Sequence, residues 1–410
     1  MSSVILLPST ELTQLLQEIG HLKNIIEPMT NEIKALKERN ERMFSEISRH
    51  NALERLNECF SRIDQEEVYS DDDDIEYYYD GLDYNIESIS SIKTSQIRDF
   101  SNMFTRYPIT DLSELSNWDV SNGTNFRYMF AGCKYLESLF MISNWNVSNG
   151  IDFKGMFIYC YSLKTLEGLY QWNVSKVTNF SSMFERCKSL KSIRALSHWD
   201  VSNGTNFSCM FEDCRSIREL SPLVNWNVSN GTDFNRMFDG CRSIRELSPL
   251  VNWNVSNGTD FSFMFYECSS LESFEGLSNW NVLNGKSFEC MFDGCSSLES
   301  LEPLSNWNVS NGTNFEGMFD GCSSLESLEP LSNWNVSNGE RFTGMFKKCD
   351  SIADITPLAN WCVRENYDVK EMFTGCNGNL PKNISEEQID WLNKNIKRHS
   401  VKHGYEDDDI

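Results

Sequence analysis

The sequence predicts an α/β solenoid: a rod of about eleven stacked 27-residue coils, preceded by an α-helical coiled coil. Three observations carry this. Tryptophan recurs at 118, 145, 172, 199, 226, 253, 280, 307, 334 and 361, an unbroken spacing of 27. Met-Phe pairs keep the same step from Met129-Phe130 to Met372-Phe373, with Met103-Phe104 one shortened step earlier. Cysteine does the same from Cys133 to Cys376. A fixed period without insertions marks units that stack because none can bury its apolar face alone.

One coil predicts the rest. Trp118 and Val120 alternate as an extended piece. Ser121 to Gly123 is turn chemistry, with Gly123 free to adopt a positive φ. Thr124 or Asn125 is placed to cap the next element. Phe126, Met129, Phe130 and Cys133 stand at i, i+3, i+4 and i+7, the spacing of a short amphipathic helix of about two turns. Leu136 and Leu139 fit the L-x-x-L part of a leucine-rich repeat, which predicts one short strand per coil. Stacked strands lie ~4.8 Å apart, so ten coils make a rod roughly 50 Å long.

Around this repeat region, 89–377 with a degenerate first coil, lie three other segments. In 10–66, Leu12, Leu15, Ile19, Leu22, Ile26, Met29, Ile33, Leu36, Asn40, Met43 and Ile47 follow alternating steps of three and four. That is a heptad seam, with Asn40 at an a position where a buried amide fixes register. It predicts a homo-oligomer; the alternative is a helical hairpin folded back on itself or on the rod. Pro28 is expected to kink or split the helix. Segment 67–88 is acidic and tyrosine-rich, either a phosphorylatable or docking tract or a solvated linker. In 378–410, Ser385 and Gln388 form a capping box ahead of Ile389, Leu392 and Ile396, a helix to cover the last coil before an acidic tail.

Composition narrows the function. The formal charge is −24 and the isoelectric point about 4.6, which argues against nucleic acid and anionic membranes as partners. No run of residues approaches a membrane span, and "MSSVILLPSTELTQ" lacks the basic start and cleavage site of a signal peptide.

The string "WDVSNGTNFRYMFAGCKYLESL" closely resembles the BspA-like leucine-rich repeats, common in mycoplasma surface proteins and found also in other bacteria, parasitic protists and large DNA viruses. The resemblance covers about 97–377. Its motif commonly has Val where this chain mostly has Gly123 and its equivalents; Val177 alone keeps it. The resemblance implies a binding or adhesion surface without catalysis.

Ten of the 14 cysteines stand in one column flanked by apolar positions, which predicts reduced, buried thiols in a reducing compartment. Zinc is not indicated: no C-x-x-C pair occurs, and none of the five histidines recurs with the period. Triplets such as Asn146-Val147-Ser148 and Asn230-Gly231-Thr232 would be glycan acceptors on most coils in a eukaryotic secretory route. That crowding favours an intracellular or virion location, with the cell surface as alternative. No catalytic constellation, phosphate loop or cofactor motif is present, so the chain is read as a non-enzyme that binds protein.

Outward positions vary. The residue after the column cysteine, and the one four after it, are basic on successive coils: Lys164, Lys188, Lys191, Arg215, Arg218, Arg242 and Arg245, with Arg194 beside them. The same flank turns acidic at Glu272, Glu299 and Glu326, reinforced by Glu275, Glu302 and Glu329. The eight cations are the candidate partner-binding residues; the alternative is drift among duplicated coils. The sequence therefore predicts a protein–protein interaction scaffold, with a surface adhesin or a plain spacer as other readings.

Overall fold

The computed structural model describes residues 9–60, 86–364, 372–373, 385–395 and 397–399. The 27-residue units are stacked coils whose phenylalanines, tryptophans, leucines and cysteines form continuous buried columns. Phe130 and Phe157 stack with ring centroids 5.5 Å apart, and Trp226 and Trp253 at 6.3 Å.

The path of each coil differs from the expected strand and helix. Between Phe126 and Cys133 the backbone N–H groups alternate between two destinations. Those of Phe126, Tyr128, Phe130 and Gly132 donate to the next coil, at Asp152, Lys154, Met156 and Ile158. Those of Met129, Ala131 and Cys133 donate three residues back. Tyr128 and Gly132 take left-handed φ angles of 54° and 71°, which an α-helix cannot contain. The segment is a chain of tight turns, and the helix predicted per coil does not form. The reason is thickness. Helices pack 8–10 Å apart, whereas consecutive coils here follow at the ~4.8 Å spacing of hydrogen-bonded strands.

Strand structure is also thinner than expected. It is reduced to single parallel bridges, such as Asn125 with Asp152 and Ser138 with Thr165. After the second leucine comes a 3-10 turn, from Ser113–Leu115 and Phe140–Ile142 through to Thr356–Asn360.

Gly123 has a different task from the one predicted. A Cβ there would lie 2.4 Å from Cζ of Phe126 and 2.9 Å from the Val120 carbonyl; Gly150 to Gly339 at the same position are equally confined. The missing side chain makes room for the phenylalanine ring. Positive φ falls instead on the residue before each column Met and the residue before each column Cys. Near Val177, the one buried valine at this position, Phe153 turns edge-on to Phe126 at 79°.

Polar atoms inside the stack each meet a carbonyl of the preceding coil, as burial requires. The Trp226 indole N–H donates to Leu196 at 2.9 Å and the Cys214 thiol to Phe184 at 3.1 Å, and on the surface the exposed Asn230 amide donates to Ser202 at 2.7 Å. Thr124 likewise donates its hydroxyl across to Arg98 (3.3 Å), so it is Asn125 that caps the turn, accepting from the Arg127 N–H at 3.1 Å. The column cysteines from Cys133 to Cys322 are free thiols, pushed up by burial and thus held as protonated donors.

Both ends are covered. Helix α1, Ser9–Phe60, runs through Pro28 without a break. Its C-terminal part lies on the first coil, where Ala52 and Leu56 are buried. There the Arg98 N–H donates to Ser45, its guanidinium to Glu41 at 2.7 Å, and Arg49 donates to the Ser101 carbonyl. The folding-back alternative thus describes this part of the helix. Earlier along α1 the heptad seam is open, with Ile19, Leu22, Ile26, Met29, Ile33 and Leu36 about half exposed. At the other end α2, Glu386–Asn395, buries Ile389 and Leu392 against the Thr356–Asn360 turn. Strand β1, Cys362–Arg364, pairs in parallel with β2, Lys397–His399. Most of the tyrosine-rich segment, 67–85, and the acidic tail lie outside the described residues.

Candidate interaction surface

The face just beyond the cysteine column is built by main-chain bonds between coils. Lys164 N–H donates to Glu137, Lys191 to Lys164, Glu272 to Arg245 and Glu326 to Glu299. Each residue four after a column cysteine therefore sits directly against its equivalent one coil away. Leu136 and Leu139 turn inward beside it, so its side chain points to solvent.

This geometry lets neighbouring coils pair opposite charges, and the predicted basic column is partly neutralised. Lys164 meets Glu137 at 2.7 Å and Arg245 meets Glu272 at 3.2 Å. Arg242 bonds Glu267, and Arg215 bonds Asp213, which also lies 3.9 Å from Lys188. Lys134 and Lys188 hold Tyr161 between them, their ammonium groups 5.7 and 5.1 Å from its ring centroid. Lys191, Arg194 and Arg218 are exposed and make no ion pair among the described residues. Of the eight sequence-predicted residues, these three remain as cations that a partner can engage. The exposed Glu275, Glu299, Glu302, Glu326 and Glu329 are likewise without a cation among the described residues.

Two features escaped the sequence reading. Phe140 (64% exposed) and Met141 stand where the coils from Glu167 to Pro330 have Glu, Ser or Arg followed by Gly, Ala or Pro. Tyr170 packs against His198 with ring centroids 4.6 Å apart and planes tilted by 54°, its hydroxyl 3.1 Å from Nε2. Departure from the repeat consensus at exposed positions was the available signal.

Directly after the Met-Phe pair runs a row of partly or fully buried acidic residues. Burial, then Glu212, pushes Glu185 up to about 6; burial, then Glu212 again, pushes Asp239 up to about 7. Burial, then Asp320, does the same to Asp293, also to about 7. Arg236 donates to Asp239 at 2.7 Å, and Lys347 lies 3.3 Å from Asp320. Glu185, Cys209 and Glu212 bring metal-ligand atoms within 4.8 Å of one another. Burial, then Glu212, raises the Cys209 thiol above its ordinary value, so it is a protonated neighbour of the carboxylates. Half-exposed acidic groups of this kind commonly hold no ion, and the grouping carries no metal assignment.

Fold and surface together define a class: a capped repeat rod whose interior is uniform and whose outer columns change along its length. The chain belongs to the family described as Mycoplasma protein of unknown function, DUF285, which matches it three times in tandem, at 73–193, 161–274 and 259–386. No curated protein matches the chain. No helix among the described residues is long and apolar enough to cross a membrane.

Proposed function

We propose that this protein is a non-enzymatic binding rod of the BspA-like type, a scaffold for protein–protein contacts inside a cell or virion. One observation carries the reading. The buried columns and their bonded polar atoms are nearly the same in every coil, while the exposed column four residues after the cysteine runs from basic at Lys164, Lys191, Arg218 and Arg245 to acidic at Glu272, Glu299 and Glu326. A rod that only set distance would need no such change. The thiol column supports a reducing location, since each Sγ–H is spent on a carbonyl that a disulfide would leave unpaired.

The open seam of α1 is the second contact. Half-exposed Ile26, Met29, Ile33 and Leu36 at heptad spacing are covered when a second α1 packs alongside, with Asn40 fixing the register. The helix end that lies on the first coil would then hold the rods of the oligomer at a set angle.

Affinity capture with the full chain from cells that make it tests binding. Specific proteins should be retained by the parent and lost when Lys191, Arg194 and Arg218 are all changed to Ser. Retention of nothing by either chain would leave the spacer reading, and capture only at the outside of intact cells the adhesin reading.

A further inference from the structure

The charged face is opposite in sign about its midpoint, because its basic and acidic halves meet there. In the column four residues after the cysteine, Arg245 and Glu272 lie on adjacent coils and pair at 3.2 Å. Counting outward one coil at a time from the midpoint of that pair, Arg218 is matched by Glu299 and Lys191 by Glu326. In the flanking column, Arg194 is matched by Glu329 in the same way. All of these are exposed, and those outside the central pair have no ion partner among the described residues.

We propose that this face docks a second copy of the chain, antiparallel, about a two-fold axis that passes between Arg245 and Glu272. Such an axis lies in the interface and crosses both rods, so each column faces its own equivalent with the order of coils reversed. Arg218 then faces Glu299 of the second copy, Lys191 faces Glu326, and Arg194 faces Glu329, each contact made twice. The coil step is identical in the two rods, because both are set by the same inter-coil hydrogen bonds at ~4.8 Å, so register is kept along the row. A parallel pair would set Lys191 on Lys191 and Glu326 on Glu326, which like-charge repulsion disfavours. An acidic peptide would satisfy Lys191 and Arg218 and leave Glu299, Glu302, Glu326 and Glu329 bare. The second copy satisfies both halves at once.

This contact is separate from the α1 seam, and the test removes the seam first. The full chain carrying Ile26→Glu and Ile33→Glu, both on the exposed helix, is followed by sedimentation velocity at low ionic strength. It should form a concentration-dependent dimer that dissociates as salt is added. Lys191→Glu with Arg218→Glu, and separately Glu299→Lys with Glu326→Lys, should each abolish the dimer. The four changes together should restore it, because every facing pair is then opposite in sign again. The four changes cancel, −4 against +4, so the variant keeps the seam-opened chain's −26 (the parent's −24 with two added glutamates), and restoration cannot come from net charge. A seam-opened chain that stays monomeric overturns the proposal. So does a dimer indifferent to the charge reversals, or a monomer that binds polyglutamate through Lys191 and Arg218. The α1 contact is read independently, as association of the parent that survives high salt and disappears with the two helix substitutions.

Discussion

Apolar residues recur at regular intervals in both the rod and helix α1, yet the two regions end differently. Phe211, Cys214 and Leu220 are shut off from water by the coils on either side. Ile19, Leu22, Ile26 and Ile33 remain about half exposed along the first part of α1. The rod brings its own cover, because each coil is followed by a near copy of itself. The helix occurs once in the chain and has no such neighbour until its C-terminal part meets the first coil. A periodic pattern thus marks a surface that must be covered; whether the chain covers it depends on how often the unit is repeated.

The largest effect should come from removing one rung of the stack. Trp226→Ala deletes a ring stacked on Trp253 and its hydrogen bond to Leu196, and should cost roughly 3–5 kcal/mol by denaturant unfolding. Trp361 is fully buried beside the C-terminal cap and bonds Leu331 at 2.7 Å, so its replacement should cost a similar amount. Ile33→Ala on α1 should change the stability of the dilute chain by no more than about 0.5 kcal/mol. A small loss at Trp226 would mean that the column is not the core.

That contrast also shows what the residues could and could not reveal. The period, the buried columns and the C-terminal cap were readable, because they rest on apolar spacing and on Ser385-Gln388 helix-start chemistry; the N-terminal cap stood only as the alternative to a coiled coil between chains. The turn from Phe126 to Cys133 was not, because i, i+3, i+4, i+7 spacing fits a stacked turn as well as a helix. Glycine was the missed clue. Gly132, Gly155, Gly240, Gly294, Gly317, Gly321 and Gly344 fall at the left-handed positions, where a two-turn helix would have placed interior glycines at a cost. On the charged face, the residues were legible but their pairing was not. Lys164 with Glu137 and Arg245 with Glu272 meet across 27 residues, a proximity that exists only once the coils are in register.

A second comparison uses the same substitution in both regions. Gly231→Ala would push a methyl group to 2.4 Å from Cζ of Phe234 and 3.0 Å from the Val228 carbonyl. A loss of about 1–3 kcal/mol is expected from such overpacking. Gly20 in α1 has nothing within 4 Å of the added Cβ, so Gly20→Ala should favour the helix locally by up to about 1 kcal/mol, seen as higher helical circular dichroism. Opposite signs at the two sites would support the division; a tolerated Gly231→Ala would show that the phenylalanine column can shift.

The acidic row gives the rod a pH response. Asp239 and Asp293 stand near 7 and Glu185 near 6 in the folded chain, above the ~4 of an unfolded carboxylate. Folding therefore takes up protons between those values, and stability rises as pH falls from about 8 toward 5. The gain is complete once pH is below the unfolded value. Melting temperatures at pH 8 and pH 6 should differ in that direction, and Asp239→Asn with Asp293→Asn should raise the value at pH 8 and shrink the difference. A melting temperature that falls on going to pH 6 would count against a row of mutually repelling carboxylates.

The smallest effect tests the turns themselves. Ser182 holds φ at 56°, where Gly155 and Gly317 hold 60° in equivalent coils. A side chain in that region costs on the order of 1 kcal/mol, which glycine avoids at some entropic expense in the unfolded chain. Ser182 also hydrogen-bonds Glu185, so replacing it alters two things at once. Comparing Ser182→Gly with Ser182→Ala separates them, because neither variant keeps the hydroxyl and only alanine keeps the Cβ. The glycine variant should be the more stable by about 0.5–1 kcal/mol. Equal stabilities would mean that the left-handed turn carries no strain to relieve. The alternation of glycine with larger residues along that column would then be free of conformational cost, leaving those positions open to vary on the outside of the rod as the charged columns do.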